Sequence, residues 1–97
     1  MIEPLGSMCR FENKVVLITG ASTGIGAAAA LAFAAEGGRI AVHFNASRDA
    51  AEQVAARVKA EGAEAALVGG DVTVEADVKR IVAETLAKFG RVDVLIN

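Results

Sequence analysis

An α/β fold built on a parallel, doubly wound sheet is what this sequence predicts, and two rhythms with their punctuation carry the expectation. Short β-branched runs alternate with longer segments of helical period, and glycines stand at most of the junctions. Strands separated by helices need crossovers, and crossovers within one sheet share one hand. The strands therefore lie parallel, with helices on both faces.

Val15-Val16-Leu17-Ile18 is an apolar, β-branched run ending in a glycine-rich turn, as strands buried on both faces do. Gly24 to Glu36 follows as a helix that is apolar almost all round. Gly37-Gly38 stop it by supplying the left-handed conformation that helix ends favour. Its alanines fit close contact with a sheet. Arg39 to Phe44, with Ile40-Ala41-Val42 at the centre, is the second strand. Ser47 can cap a helix whose Ala51, Val54, Ala55 and Val58 recur at i, i+3, i+4 and i+7, and Gly62 ends it.

Ala65 to Val68 is a weaker strand leading into Gly69-Gly70-Asp71. Thr73 can then cap a helix carrying Val78, Ile81, Val82, Thr85, Leu86 and Phe89 on one face, with Gly90 at its end. Val92 to Ile96 is the fourth strand, which completes the order βαβαβαβ. In a sheet of order 3-2-1-4-5-6 this strand sits beside the first, with further strands beyond it. The sequence stops one residue later, and an apolar edge strand without a neighbour is an aggregation template. The expectation is truncation after the fourth strand, or a partner that covers the edge. Residues 12–97 form the folded part and residues 1–11 a tail, in which Gly6-Ser7-Met8 reads either as an expression scar or as native sequence.

Composition bounds the function. A chain of 97 residues has room for one core, and its 54% hydrophobic content favours packing over disorder. Ten Lys and Arg stand against twelve Asp and Glu, a net charge of -2, with the basic residues scattered. Nucleic acid is thus not an expected partner. The longest apolar stretch, Ile25 to Ala35, falls short of the roughly 18 residues a membrane span needs. No charged region precedes an apolar run near the start, so a soluble, cytoplasmic protein with no membrane contact is expected. Cys9 is the single cysteine, which excludes an internal disulfide, and no His or Cys pair has metal-ligand spacing. Cys9 reads as a tail residue and not as a reactive thiol.

The informative segment is Thr19-Gly20-Ala21-Ser22-Thr23-Gly24-Ile25-Gly26, between the first strand and the first helix. Sheets of this class bind ligands there, outside the carboxyl ends of their strands. Gly20 permits the tight turn, Gly24 lets backbone approach a pyrophosphate, and Gly26 lets the helix press on the strand. The helix N-terminus adds free N–H groups and positive dipole. Glycines by themselves also serve ordinary turns, so it is the strand-to-helix context that gives these their meaning. A P-loop would end in Gly-Lys-Ser/Thr, which Ile25-Gly26-Ala27 does not supply, and nucleoside triphosphate hydrolysis is disfavoured.

Thr19 to Gly26 resembles the Thr-Gly-x-x-x-Gly-x-Gly loop of the classical short-chain dehydrogenases/reductases, a family with a Rossmann-type sheet. Asp71-Val72 resembles the family's adenine-contacting pair, and Leu95-Ile96-Asn97 the start of its Asn-Asn-Ala-Gly segment. By that resemblance Ser22, Thr23 and Ile25 line the cofactor's phosphates, Asp71 accepts a hydrogen bond from the adenine amino group, and the Val72 backbone meets the ring. Asn97 closes the pocket near the ribose. A local capping role for Asp71 is the alternative. Residues 39–78 look most like the glucose dehydrogenase and 3-oxoacyl-carrier-protein reductase branches.

The second strand ends His43-Phe44-Asn45, without the acidic residue that bonds a ribose 2′-hydroxyl and repels a 2′-phosphate. Arg48, with Ser22, can instead engage a phosphate. NADP(H) is therefore favoured and NAD(H) is the alternative. Arg48 otherwise reads as a solvated helix residue, and His43 as a strand-end side chain and not a catalyst. The resemblance implies hydride transfer to or from a carbonyl or alcohol, by a Ser and a Tyr-x-x-x-Lys set, in a homo-oligomer, tetramer or dimer. The chain contains no tyrosine. It is expected to be the cofactor-binding half of such an oxidoreductase and inactive alone, with a non-catalytic nucleotide-binding or interaction module as the second reading and a methyltransferase of similar topology as the remote one.

Overall fold

The structure, a computed structural model, describes residues 11–22 and 24–97. The expectations for the first ten residues, including Cys9, and for Thr23 fall outside them. Four strands, β1 (Val15–Ile18), β2 (Arg39–Phe44), β3 (Ala65–Gly69) and β4 (Val94–Ile96), alternate with three helices, α1 (Gly24–Ala35), α2 (Arg48–Ala60) and α3 (Glu75–Phe89). Every pairing is parallel, in the order β3-β2-β1-β4. The chain thus steps outward from β1 twice in one direction, then returns past β1 to lay β4 on its other side.

That reversal decides where the helices go. A crossover of fixed hand lies on one sheet face when the chain moves one way and on the other face when it moves back. The strand period of two supplies an apolar surface for each. Val16, Ile18, Ile40, Val42 and Phe44 face Ala30 and Ala34 of α1 and Ala51, Val54, Ala55 and Val58 of α2. Val15, Leu17, Ala41 and Val68 face Ile81 and Phe89 of α3. All of β1 is buried, which is why its sequence is uniformly apolar and not alternating.

Four boundaries differ from expectation, the simplest being that of β3, which runs one residue further, to Gly69. Helix α1 ends at Ala35, leaving Glu36 in the turn before Gly37. Helix α3 starts at Glu75 with Val74 as N-cap and without a side-chain cap; Thr73 falls one residue before the cap position, its hydroxyl donating to Asp71 Oδ1 at 2.6 Å. Strand β4 begins at Val94 instead of Val92. There the Asp93 carboxylate accepts the Val15 N–H at 2.8 Å, while the Asp93 N–H donates to the Val15 carbonyl at 2.9 Å. A side chain thus replaces one rung of the ladder, and regular pairing starts one residue on.

The predicted apolar stripe of α3 is split. Ile81, Thr85 and Phe89 are buried, and the Thr85 hydroxyl is satisfied by the Ile81 carbonyl at 2.8 Å. Val78, Val82 and Leu86 remain about two-fifths exposed, Val78 and Val82 beside Leu95 of β4. Among the described residues nothing lies over this surface, and none of the helices is long and apolar enough to cross a membrane.

Candidate functional site

Parallel strands deliver all their carboxyl ends to one rim. Ile18 is level with Val42 on one side and Ile96 on the other, and Phe44 is level with Gly69. The segments that leave this rim are the turn into α1, Asn45 to Ser47, Gly70 to Val74, and Asn97. Of the residues singled out for cofactor binding, Gly20, Ser22, Asn45, Asp71, Val72 and Asn97 lie in these segments, Gly24, Ile25 and Gly26 open α1, Phe44 ends β2 and Arg48 opens α2.

The turn after β1 is held from three directions. The Thr19 N–H donates to the Ile96 carbonyl at 2.9 Å, and its hydroxyl lies 3.3 Å from both that carbonyl and Asn97 Oδ1. The Gly20 N–H donates to His43 Nδ1 at 2.9 Å, and the Ala21 N–H to the His43 carbonyl at 2.9 Å. Gly20 and Gly24 have φ of 62° and 61°, a region L-residues with side chains rarely occupy. Among the described residues, beyond its chain neighbours and its own helix's backbone, a methyl group on Gly24 would meet no atom within 4 Å. A methyl on Gly26, by contrast, would run into the Gly20 carbonyl oxygen, with the Ala21 Cα only 3.0 Å away. One glycine keeps the approach clear and the other lets α1 close on β1.

Helix α1 carries no acidic residue in its first turn, so no carboxylate of its own competes for its positive end. Ile25, at that end, is 90% exposed. Ser22 is half-buried beside it.

Asp71 is engaged locally. Its Oδ1 accepts the Thr73 hydroxyl at 2.6 Å and the Thr73 N–H at 2.8 Å, and these two bonds, in that order, hold its carboxyl below the usual 3.8. Its own N–H donates to Asp77 Oδ2 at 2.9 Å, which with the Arg80 guanidinium lowers the Asp77 carboxyl as well. Arg80 also donates to the Gly69 carbonyl at 2.8 Å, tying α3 to the end of β3. Asp71 thus does not cap α3: its side chain closes a turn onto Thr73 ahead of the helix. Val72 and Asn97 meet Thr19, Leu17, Val78 and Leu95 around a concavity of about 220 Å³ between β1, β4 and α3.

At the end of β2, Phe44 is buried, with Arg48 Cζ 5.6 Å above its ring. The ring is thus a floor for Arg48 and has little surface of its own for a ligand. Asn45 is exposed, and Arg48 lies at the surface, paired with Glu52 at 3.3 Å. A larger concavity of about 360 Å³ lies at the opposite rim, among Glu12, Gly37, Arg39, Gly62 and Glu64. It is lined by loop backbone and exposed charges and contains none of the predicted residues.

This arrangement of strand, glycine turn and helix is matched by known proteins. The profile described as short chain dehydrogenase covers residues 14–97. The chain belongs to the short-chain dehydrogenase family. It is 44% identical over 85 residues to a 3-oxoacyl-acyl-carrier-protein reductase of Staphylococcus epidermidis, covering 88% of this chain and 35% of that protein. A reductase of the same name from Synechocystis is 45% identical over 90 residues, covering 93% of this chain and 36% of the relative. A Burkholderia cenocepacia structure described as a dehydrogenase with bound NADP superposes with a TM-score of 0.87 at 38% identity, over 93% of this chain and 35% of that one. The apo glucose dehydrogenase of Caenorhabditis elegans gives 0.83 at 37%, over 91% of this chain and 38% of that one. This short-chain dehydrogenase sequence therefore spans roughly a third of the length of the relatives it matches.

Sequence reasoning missed two parts of the candidate site. His43, read as a strand-end side chain, touches the turns on both sides of it. Asp77 and Arg80, one helix turn into α3, hold the Asp71 turn. The polar residue in the run Ile40-Ala41-Val42-His43-Phe44 was the available signal for the first. The spacing Asp71 to Asp77 was no signal, because six residues across a turn define no fixed geometry before the turn is known.

Proposed function

We propose that this chain is the dinucleotide-binding part of a nicotinamide-dependent oxidoreductase, which transfers a hydride between its cofactor and a carbonyl or alcohol. The observation that carries the reading is the Gly20 to Gly26 turn, open at Gly24 and backed by the acid-free positive end of α1. An approaching diphosphate finds no side chain in front of Gly24 and meets oriented N–H groups. In this reading Ser22, Thr23 and Ile25 border the phosphates, Asp71 and Val72 border the adenine, and Asn97 borders the ribose. The bound nicotinamide would supply the hydride chemistry, and these residues bind and orient it. Proton transfer by a tyrosine is not available in a chain without tyrosine, so the 97-residue chain alone is expected to show no turnover.

NADP(H) is favoured over NAD(H). No carboxylate ends β2, and the Burkholderia cenocepacia relative is described with NADP. The Arg48–Glu52 pair is an exposed i,i+4 contact. Such pairs are worth only about 0.3–0.5 kcal/mol, so a phosphate can take over the guanidinium at little cost. Calorimetric titration of the chain with NADP⁺ and NAD⁺ tests both points. Arg48→Ala should weaken NADP⁺ about tenfold, the scale of one charge-assisted hydrogen bond, and leave NAD⁺ nearly unchanged. Equal losses for the two cofactors would take Arg48 out of the 2′-phosphate site. Failure of both to bind the wild-type chain would sink the dinucleotide reading itself.

A further inference from the structure

His43 is 3% exposed and sits on the face of β2 that packs toward α3, one residue before the strand ends. A polar ring in that setting is costly unless both nitrogens find partners. Both do. Nδ1 accepts the Gly20 N–H at 2.9 Å, and Nε2 lies 2.7 Å from the Gly70 carbonyl. A backbone N–H can only donate and a carbonyl can only accept, so the ring carries its proton on Nε2. The backbone repeats the pattern, since the Ala21 N–H donates to the His43 carbonyl at 2.9 Å and the Gly70 N–H to the Phe44 carbonyl at 3.1 Å.

One rigid ring thus spans from the glycine turn after β1 to the turn that begins at Gly70 after β3. An imidazole cannot shift one nitrogen without the other, so a displacement of either turn is felt by its counterpart. An aliphatic residue would fill the same volume and leave the Gly20 N–H and the Gly70 carbonyl without these partners.

We infer that His43 is a positioning residue, setting the separation between the phosphate-gripping turn and the Asp71-Val72 turn so that the diphosphate and the adenine of one dinucleotide are met at once. This rests on the dinucleotide reading above, which assigns those two turns to the phosphates and the adenine of one cofactor. His43 touches no cofactor in this scheme and acts through Gly20 and Gly70.

The test separates the two links. In His43→Asn the amide oxygen stands near the place of Nδ1, keeping the Gly20 bond and dropping the Gly70 bond. In His43→Gln the longer amide reaches toward the place of Nε2 and does the reverse. Three measurements on the 97-residue chain decide the matter. Nitrogen-15 spectra of wild-type histidine should show a proton on Nε2 and none on Nδ1, and any other pattern overturns the bridge without recourse to a variant. Hydrogen exchange at the Gly20 amide should be slow in wild type and His43→Asn and fast in His43→Gln, whereas equal rates in all three overturn it too.

NADP⁺ affinity by calorimetry should fall about tenfold in both variants, because either broken link uncouples the two turns. A lowered melting temperature with unchanged NADP⁺ affinity would make His43 a structural residue only and overturn the positioning role. If wild type binds neither NADP⁺ nor NAD⁺, the cofactor reading has failed and the positioning role falls with it, while the exchange and tautomer results still report on the bridge.

Discussion

Gly24 and Gly26 are two residues apart and do opposite work. Position 24 has positive φ and empty space ahead, so a side chain there is penalised by backbone strain and by what it excludes. Gly24→Val should cost about 1–2 kcal/mol of stability, the usual scale for a side-chain-bearing residue in the left-handed region, and abolish NADP⁺ binding to a chain that still folds. Titration calorimetry alongside a thermal melt checks it, and undiminished affinity would refute the loop assignment. Gly26→Ala should instead cost about 1–3 kcal/mol by overpacking the contact between α1 and β1, visible as a lowered melting temperature without any ligand present. A melting temperature equal to wild type would show that α1 can slide away from Gly20. The close packing at Gly26 was legible in the sequence because it follows from spacing along a strand, turn and helix. The role of His43 was not, since its partners lie 23 and 27 residues away and only the sheet brings them together.

Among the elements, α3 shows best how pattern and structure part company. Its period predicted a helix with one apolar face, and the helix is there, but only half of that face meets the sheet. Periodicity reports which face is apolar and says nothing of how much of it a given neighbour covers. The start of α3 was misplaced for a local reason, because the chain turns from Asp71 through Thr73 before the helix begins and leaves Val74 at the cap position. That turn has a consequence for acid stability. Asp71, Asp77 and Asp93 all have carboxyls held below the usual 3.8, chiefly by hydrogen bonds from Thr73, the Asp71 N–H and the Val15 N–H respectively. Depressed values mean that the folded state holds its protons less tightly than the unfolded chain. The stabilisation is therefore complete above pH 3.8 and is lost as pH falls through the lower folded values. Thermal melts should be flat from neutral pH to about 4 and fall below that. Asp77→Asn should show a shallower fall, and an acid limb identical to wild type would mean the turn contributes nothing to it.

For the molecule as a whole, strand order and helix placement followed from the alternation of elements and the rule of constant crossover hand. Both were legible before any coordinate. What pattern left open was the closure of β1 against β4, made by the Asp93 side chain and by Thr19 reaching Ile96 and Asn97. Such contacts join residues 77 and 78 positions apart and leave no trace in local composition.

Because every strand points the same way, the two rims of the sheet carry unequal burdens. The residues assigned to the cofactor all cluster where strands finish, while the connections through Glu12–Asn13, Gly37–Gly38 and Glu61–Ala63 gather where strands begin. In the proposed reading, insertions, tags or mutational drift on that far side should leave the candidate site alone, so that supporting the fold and holding a ligand can evolve on separate ledges of the same scaffold.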